Sequence, residues 1–189
     1  MAKYYYTVAS LPLLFYEEDL SIDIEQFISI CEREISGENI ELLRAASAGA
    51  TPAEESTEPT YRQWSAWERQ LRFEIAKIRA QSLGKELSIE EPEDVAYETA
   101  RIAREASVQD SPLQAEFFLT RARWDFLDSL EIGHYFDMDK LVIYALKLRL
   151  LTRKALFKQE LGEEKFQQIY NKIASTLERE DGGAWLQAT

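Results

Sequence analysis

The chain has 189 residues, of which 46% are hydrophobic, and this length favours one domain with a single substantial core. A formal charge of -12 argues against general nucleic-acid binding, because affinity for phosphates comes from clustered basic side chains. No apolar run approaches the ~20 residues that span a bilayer. A single cysteine and the absence of a secretory signal pattern predict a cytoplasmic protein.

The chain begins with three consecutive tyrosines, Tyr4, Tyr5 and Tyr6, ahead of a Leu-Pro pair at 11–12. Aromatic and β-branched residues before a proline favour an extended, strand-like N-terminal lead-in. Three neighbouring tyrosines cannot all point inward, so we expect one or two of them to reach a partner protein unless they pack along a groove.

Two short helices are predicted next. Ser21 can cap the first, whose apolar positions recur at helical spacing and bury Cys31 as a small core residue. This helix is expected to end at Ser36-Gly37, and the second to end near Gly49. Residues 48–60 contain two prolines, several acids and no large apolar residue, which predicts a mobile linker.

A long helix is predicted after the linker. Thr60 and Gln63 fit a capping box at its start, and Trp64 and Trp67 fall on its apolar face, where they predict a large buried contact. A shorter helix is expected at 93–107.

The next helix has a clear start signal. Ser111 is followed by Pro112 and Gln114, which together provide a cap, a first-turn proline and a capping-box acceptor. We therefore predict a helix from Pro112 to about Ile132.

The segment 141–151 is the most apolar part of the chain, with nine apolar residues of eleven, interrupted by Lys147 and Arg149. Such density around a helix predicts an element that its own protein covers on more than one side. Asp137 or Asp139 is expected to cap this central helix, which should run to about Leu161. A last amphipathic helix should follow Gly162, with a flexible tail at 181–189.

These patterns together predict an all-α fold. It is an antiparallel multi-helix bundle of six or seven helices with a buried central helix, in a single domain that covers residues 1–189.

Lysines recur along one side of the central helix. Lys140, Lys147 and Lys154 are spaced by seven residues, and Lys158 lies one turn further on. This basic stripe could bind an acidic partner. The chain's own acidic N-terminal region could also neutralise it, since residues 1–60 contain twelve acids and three bases.

The sequence contains no Gly-rich phosphate loop and no G-x-S-x-G motif, and we predict no cofactor. The best candidate for chemistry is the trio His134, Asp137 and Asp139, which could bind a metal or relay a proton. The same residues lie where one helix should end and another begin, and there acids serve as helix caps.

Several segments resemble a bacterial family encoded alongside V-type (A/V-type) ATP synthase subunits and likened to the C-type subunit of that machine. They are KYYYTVASLP at 3–12, the W-x-x-W-E-x-x-L-R pattern from Trp64 to Arg72, SPLQAE at 111–116, and the stretch from Arg123 to Arg153. Within the last stretch, Phe136-Asp137 followed by Leu141 and the region of Lys147 and Arg149 is similar to the pattern of the C-type subunit. That subunit has three similar helical parts around a funnel, so this shorter chain can hold at most a portion of the arrangement.

The resemblance implies a non-catalytic adaptor between the soluble rotor stalk and the membrane ring, peripheral to the membrane and bound to the stalk and ring subunits. Its interface would include Tyr4, Tyr5 and Tyr6 and the basic stripe. Two other functions stay open. One is an enzyme with an acid or metal site at His134, Asp137 and Asp139, and the other is a self-associating helical scaffold unrelated to ATPases.

Overall fold

The computed structural model describes residues 4–49, 58–86, 92 and 97–157. These ranges contain seven α-helices and no strand, which confirms the predicted all-α multi-helix fold. The helices are α1 (Tyr5–Ser10), α2 (Ile24–Cys31), α3 (Glu38–Ala48), α4 (Pro59–Ser82), α5 (Tyr97–Ser107), α6 (Pro112–Glu131) and α7 (Met138–Ala155).

The chain divides into two compact units, Met1–Lys154 and Ala155–Thr189, and the description below concerns the first. The single domain predicted for 1–189 stays a prediction. Residues 50–57 of the predicted linker, the helix expected after Gly162, the tail at 181–189 and Lys158 lie outside the described residues.

The prediction of an extended N-terminal lead-in is wrong for residues 5–10, which form α1. Tyr4 and Thr7 are buried on one side of this helix, and Val8 and Leu11 pack against the core beside them. These residues are spaced by three and four positions, so they share one face of a helix, whereas in a strand they would point to opposite faces. Core packing therefore outweighs the β-propensity of the tyrosines, and the chain becomes extended at Leu11, where α1 has ended.

Two of the predicted helix starts are corrected. Asp23, not Ser21, caps α2: its Oδ1 accepts a hydrogen bond from the backbone N of Gln26 at 2.7 Å, and the Gln26 side chain accepts one in return from the backbone N of Asp23 at 3.1 Å. This reciprocal pair is a capping box, which satisfies two amides and makes Asp23 the stronger start signal. At α4, Pro59 occupies the first turn and buried Thr60 forms no cap.

The other two predicted caps are confirmed. Ser111 Oγ accepts a hydrogen bond from the backbone N of Gln114 at 3.2 Å, at the start of α6. Asp137 Oδ1 accepts one from the backbone N of Lys140 at 3.0 Å, at the start of α7.

Two helix ends differ from their predicted positions. α2 ends at Cys31 and α7 ends at Ala155, both earlier than the glycines at 37 and 162 suggested. No glycine or proline lies close to either of these ends, so the local sequence contains no signal that would place them.

The predicted tryptophan contact joins α4 to α6. Trp64 and Trp67 are buried and stack on each other with ring centroids 5.9 Å apart. Trp67 also stacks on Phe126 of α6, with centroids 4.4 Å apart and an interplanar angle of 7°. Large aromatic surfaces removed from water in this way contribute strongly to stability.

α7 is the buried central helix that the sequence predicts. Every residue from Leu141 to Leu148 is buried, which covers more than two full turns of the helix. Tyr144 stacks on Phe27 of α2 with ring centroids 5.2 Å apart, and its hydroxyl donates a hydrogen bond to the Pro12 carbonyl at 3.0 Å. The helix is therefore covered by several different parts of the chain.

A lysine lies inside this covered surface. Lys147 is 7% exposed, and its Nζ lies 2.5 Å from Asp128 Oδ1 and also pairs with Glu131. The ammonium group further lies 5.0 Å from the centroid of the Trp124 ring. A buried cation is tolerated only when it is paired in this way, so Lys147 ties α7 to α6.

We predict that Lys147→Glu lowers the free energy of unfolding by about 3–5 kcal/mol, because it breaks a buried ion pair and places a third carboxylate beside Asp128 and Glu131. Urea unfolding followed by circular dichroism measures the loss. The matched control is Lys85→Glu at an exposed position, which should change stability by less than about 0.5 kcal/mol. Equal midpoints for the two variants would contradict the burial of Lys147.

Candidate functional site

Two segments that are far apart in the sequence form an exposed aromatic patch, which we define as Tyr5, Tyr6 and Phe136. The rings of Tyr5 and Phe136 have centroids 4.7 Å apart, and those of Tyr5 and Tyr6 are 5.6 Å apart. Tyr6 is 78% exposed, Tyr5 48% and Phe136 38%. The patch therefore presents aromatic surface to solvent at the N-terminal end of α7.

The third predicted tyrosine, Tyr4, does not belong to the patch. It is buried in the core, and its hydroxyl accepts a hydrogen bond from Asn39 Nδ2 of α3 at 3.0 Å. Tyr4 thereby fixes the position of α1, from which Tyr5 and Tyr6 project.

The three described side chains of the basic stripe, Lys140, Lys147 and Lys154, have partners within the chain. Lys140 pairs with Glu131 on α6, as Lys147 does. Lys154 Nζ donates a hydrogen bond to the Tyr16 carbonyl and lies 4.0 Å from the centroid of the Tyr16 ring. The carboxylates that pair with Lys140 and Lys147, those of Glu131 and Asp128, belong to α6. The assignment of these lysines and Tyr4 to a partner interface stays a prediction that their contacts do not support.

His134, Asp137 and Asp139 converge just before and at the start of α7. His134 Nδ1 lies 2.7 Å from Asp137 Oδ2 and 3.5 Å from Asp139 Oδ2. The hydrogen bond to Asp137 raises the pKa of His134, and burial opposes this rise only in part. The imidazolium form is thus favoured beside the two carboxylates.

Glu58, at the start of α4, also lies at this site, and sequence reasoning missed it. Burial raises the pKa of Glu58 to about 7, assisted by a hydrogen bond to the Asp139 carboxyl. The negative charges of Asp139 and Asp137 act in the same direction, and His134 opposes them. Glu58 precedes α4 and Asp139 begins α7, so only tertiary packing brings the two carboxyl groups together. The sequence offered no signal for this contact beyond the proximity of Glu58 to a helix start.

The trio has two possible roles. One ligand atom from each of His134, Asp137 and Asp139 lies within 4.8 Å of the others, a separation that a divalent cation could bridge. Asp137 is, however, already engaged as the cap of α7 and as the hydrogen-bond partner of His134. The acid or metal site therefore stays a prediction beside the capping role.

Comparison of the chain with protein-family models, curated protein sequences and solved structures finds no match. These comparisons therefore neither support nor oppose the resemblance to the ATP synthase family. Among the described residues, no helix combines the length and apolar character needed to cross a membrane.

We predict that Glu58→Gln becomes more stable relative to the wild-type protein as the pH rises from 5 to 8. The folded protein keeps the Glu58 proton up to a pH of about 7, whereas the unfolded chain releases it near the ordinary pKa of 4.5. The folded state binds more protons between these values, so wild-type stability falls with rising pH there, and glutamine removes this contribution.

The measurement is the difference in melting temperature between the variant and the wild-type protein at the two pH values. Because the charge of Glu58 also contributes to the raised pKa of His134, the measurement is repeated with His134→Asn in both proteins, which isolates Glu58. Glu86→Gln, at an exposed position, serves as the control and should show no pH-dependent difference. A difference for Glu58→Gln that is the same at pH 5 and pH 8 would show that Glu58 is not held protonated.

Proposed function

We propose that this chain is a non-catalytic accessory protein of a V-type ATP synthase, or an adaptor like its C-type subunit, which couples the soluble rotor stalk to the membrane ring. One observation supports the proposal beyond the sequence resemblance. Tyr5 belongs to the tyrosine-rich start and Phe136 to the Phe-Asp pattern, and the rings of these two family-like segments lie in contact. Segments that share a function but are distant in sequence are expected to meet on one surface.

The aromatic patch has the chemistry of a protein-binding surface. Aromatic residues are enriched in the cores of protein interfaces, where they supply large contact areas at a low cost in side-chain entropy. Phe136 adjoins the Asp137 cap of α7, and Tyr5 and Tyr6 project from a helix that Tyr4 anchors in the core. The tyrosines of the patch are thus held by an anchored helix and Phe136 by the capped start of α7, which suits an adaptor that transmits force.

The two alternative functions make different demands on the same region. An enzyme would use His134 and its neighbouring carboxylates, which adjoin the aromatic patch but do not include its rings. A self-associating scaffold would use the patch itself against a second copy of the chain. Co-purification and light scattering separate the adaptor from the scaffold.

The experiment is affinity purification of the tagged chain from its native host, followed by identification of the proteins retained. We expect stalk or membrane-ring subunits of the V-type ATP synthase with the wild-type chain. The double variant Tyr6→Ser and Phe136→Ser should retain at least tenfold less, because it removes the exposed aromatic surface. A matched control replaces two exposed apolar residues elsewhere, Leu83→Ser and Val108→Ser, and should retain wild-type amounts.

Absence of every ATP synthase subunit from the wild-type sample would contradict the proposal. Equal retention by the patch variant and the control would show that the patch is not the docking surface. Light scattering on the same proteins identifies the scaffold alternative, for which the wild-type chain is an oligomer and the patch variant a monomer.

A further inference from the structure

A second feature of the molecule lies away from the aromatic patch, where α4, α6 and α7 enclose a cavity of about 570 Å³. This volume is within the range of about 300–1,000 Å³ that is typical of small-molecule sites. The described residues on its wall include apolar surface from Trp64, Leu119 and Leu150. The rest of this wall is dominated by charged side chains.

The charges on this wall are mostly positive, although the chain as a whole is strongly acidic. Among the described residues, five arginines and two glutamates line the cavity, which leaves a formal excess of three positive charges. The arginines are Arg72, Arg79, Arg123, Arg149 and Arg153, and the glutamates are Glu68 and Glu116. We call this feature the arginine cavity. Guanidinium groups concentrated in a concave site focus a positive potential that attracts anions.

The two glutamates are already engaged by three of the arginines. Glu68 accepts hydrogen bonds from Arg72 Nε at 2.7 Å and from Arg123 Nε and Nη2 at 2.8 and 3.1 Å. Burial opposes ionisation of Glu68, but the charge of Arg123 and the hydrogen bonds from both arginines outweigh it and lower the pKa of this carboxyl. Glu116 Oε1 lies 2.8 Å from Arg153 Nη2. These contacts hold three guanidinium groups in fixed positions around the cavity.

Arg149 has no such carboxylate. Its guanidinium forms no ion pair and donates no hydrogen bond to any residue in the described ranges, although it lies on the cavity wall and is partly buried. Burial lowers the pKa of Arg149; the charge of Glu68 opposes this effect, and the charges of Arg72 and Arg123 add to it. A guanidinium removed from water and set among like charges is unfavourable until an anion joins it.

Because Gly49 has no side chain, the guanidinium of Arg149 can lie directly beside it. This glycine ends α3 in the left-handed conformation, with φ of 75°. A Cβ atom there would lie only 2.0 Å from Arg149 Cζ, so any other residue would displace the guanidinium. The C-terminal end of α3 also carries a partial negative charge that favours a cation beside it. Arg149 therefore fits against the backbone at Gly49, and no carboxylate of the described residues pairs with it.

We propose that the arginine cavity is a binding site for a small anion that bears two or more phosphate groups. Three excess positive charges call for a multiply charged ligand, and a diphosphate supplies several negative charges in a compact unit. Guanidinium groups match phosphate oxygens with paired, charge-assisted hydrogen bonds, and Arg149 and Arg79 have donors free for this purpose among the described residues. The apolar wall at Trp64 and Leu150 suits the organic part of such a ligand. This site does not depend on the proposed adaptor function.

Isothermal titration of the full chain with sodium pyrophosphate, at constant ionic strength, tests the proposal. We expect saturable binding with one site per chain, and binding of sulfate at least tenfold weaker because sulfate offers a single anionic centre. Arg149→Met keeps most of the apolar stem and removes the guanidinium, so pyrophosphate affinity should fall about tenfold or more. Arg79→Gln, at an exposed position on the cavity rim, should also weaken binding without endangering the fold.

The matched control is Arg69→Gln, which changes an exposed arginine of α4 that does not line the cavity and should leave the affinity within twofold of wild type. No saturable binding of pyrophosphate to the wild-type chain would overturn the proposal. Equal affinities for pyrophosphate and sulfate would show that the second phosphate group makes no contact, and equal losses in Arg79→Gln and Arg69→Gln would show general charge attraction. Either result would overturn the proposal as well. If Arg149→Met fails to fold, the comparison of Arg79→Gln with Arg69→Gln still tests whether pyrophosphate binds in the arginine cavity.

Discussion

The ion pairing of Lys147 inside the covered surface of α7 is the interaction on which the rest of the structure depends. A helix that is apolar on all sides can be wrapped by its neighbours in many rotations and at many heights. A buried cation removes that freedom, because Lys147 is tolerable only where Asp128 and Glu131 meet it. The charged contact therefore fixes the register of α7 against α6, and the surrounding apolar contacts stabilise that register.

The two candidate surfaces follow from this fixed helix. Phe136 precedes the N-terminal end of α7 and meets Tyr5 in the aromatic patch, while Arg149, two residues after Lys147, lies in the arginine cavity. The aromatic patch thus adjoins the start of α7, and the arginine cavity lies along the helix further on. An adaptor that also bound a phosphate-bearing ligand would have one site beside α7 and the other partly on it, a geometry through which one ligand could influence the other.

Much of the fold could be predicted because its signals are local. The density of apolar residues around Leu146 indicated a buried helix, the spacing of Trp64 and Trp67 indicated a shared buried face, and Ser111 with Pro112 marked a helix start. The N-terminal segment was predicted wrongly because the β-propensity of its tyrosines was weighed above the helical spacing of Tyr4 and Thr7.

The sites were less predictable because they are not local. Arg72, Arg123 and Arg149 are separated by long stretches of sequence, and each looks like an ordinary helix-surface arginine until packing encloses it. Glu58 meets Asp139 in the same way, across two helices. The contact between Tyr5 and Phe136 could not be deduced either, although both segments had been singled out. Hydrogen exchange in the native state tests the burial of α7 most directly, by comparing the backbone amides of 141–151 with those of the exposed segment 107–110. The account predicts that the amides of 141–151 exchange only through global unfolding, with protection that matches the free energy of unfolding from denaturant. Exchange of 141–151 as fast as that of 107–110 would contradict a buried central helix.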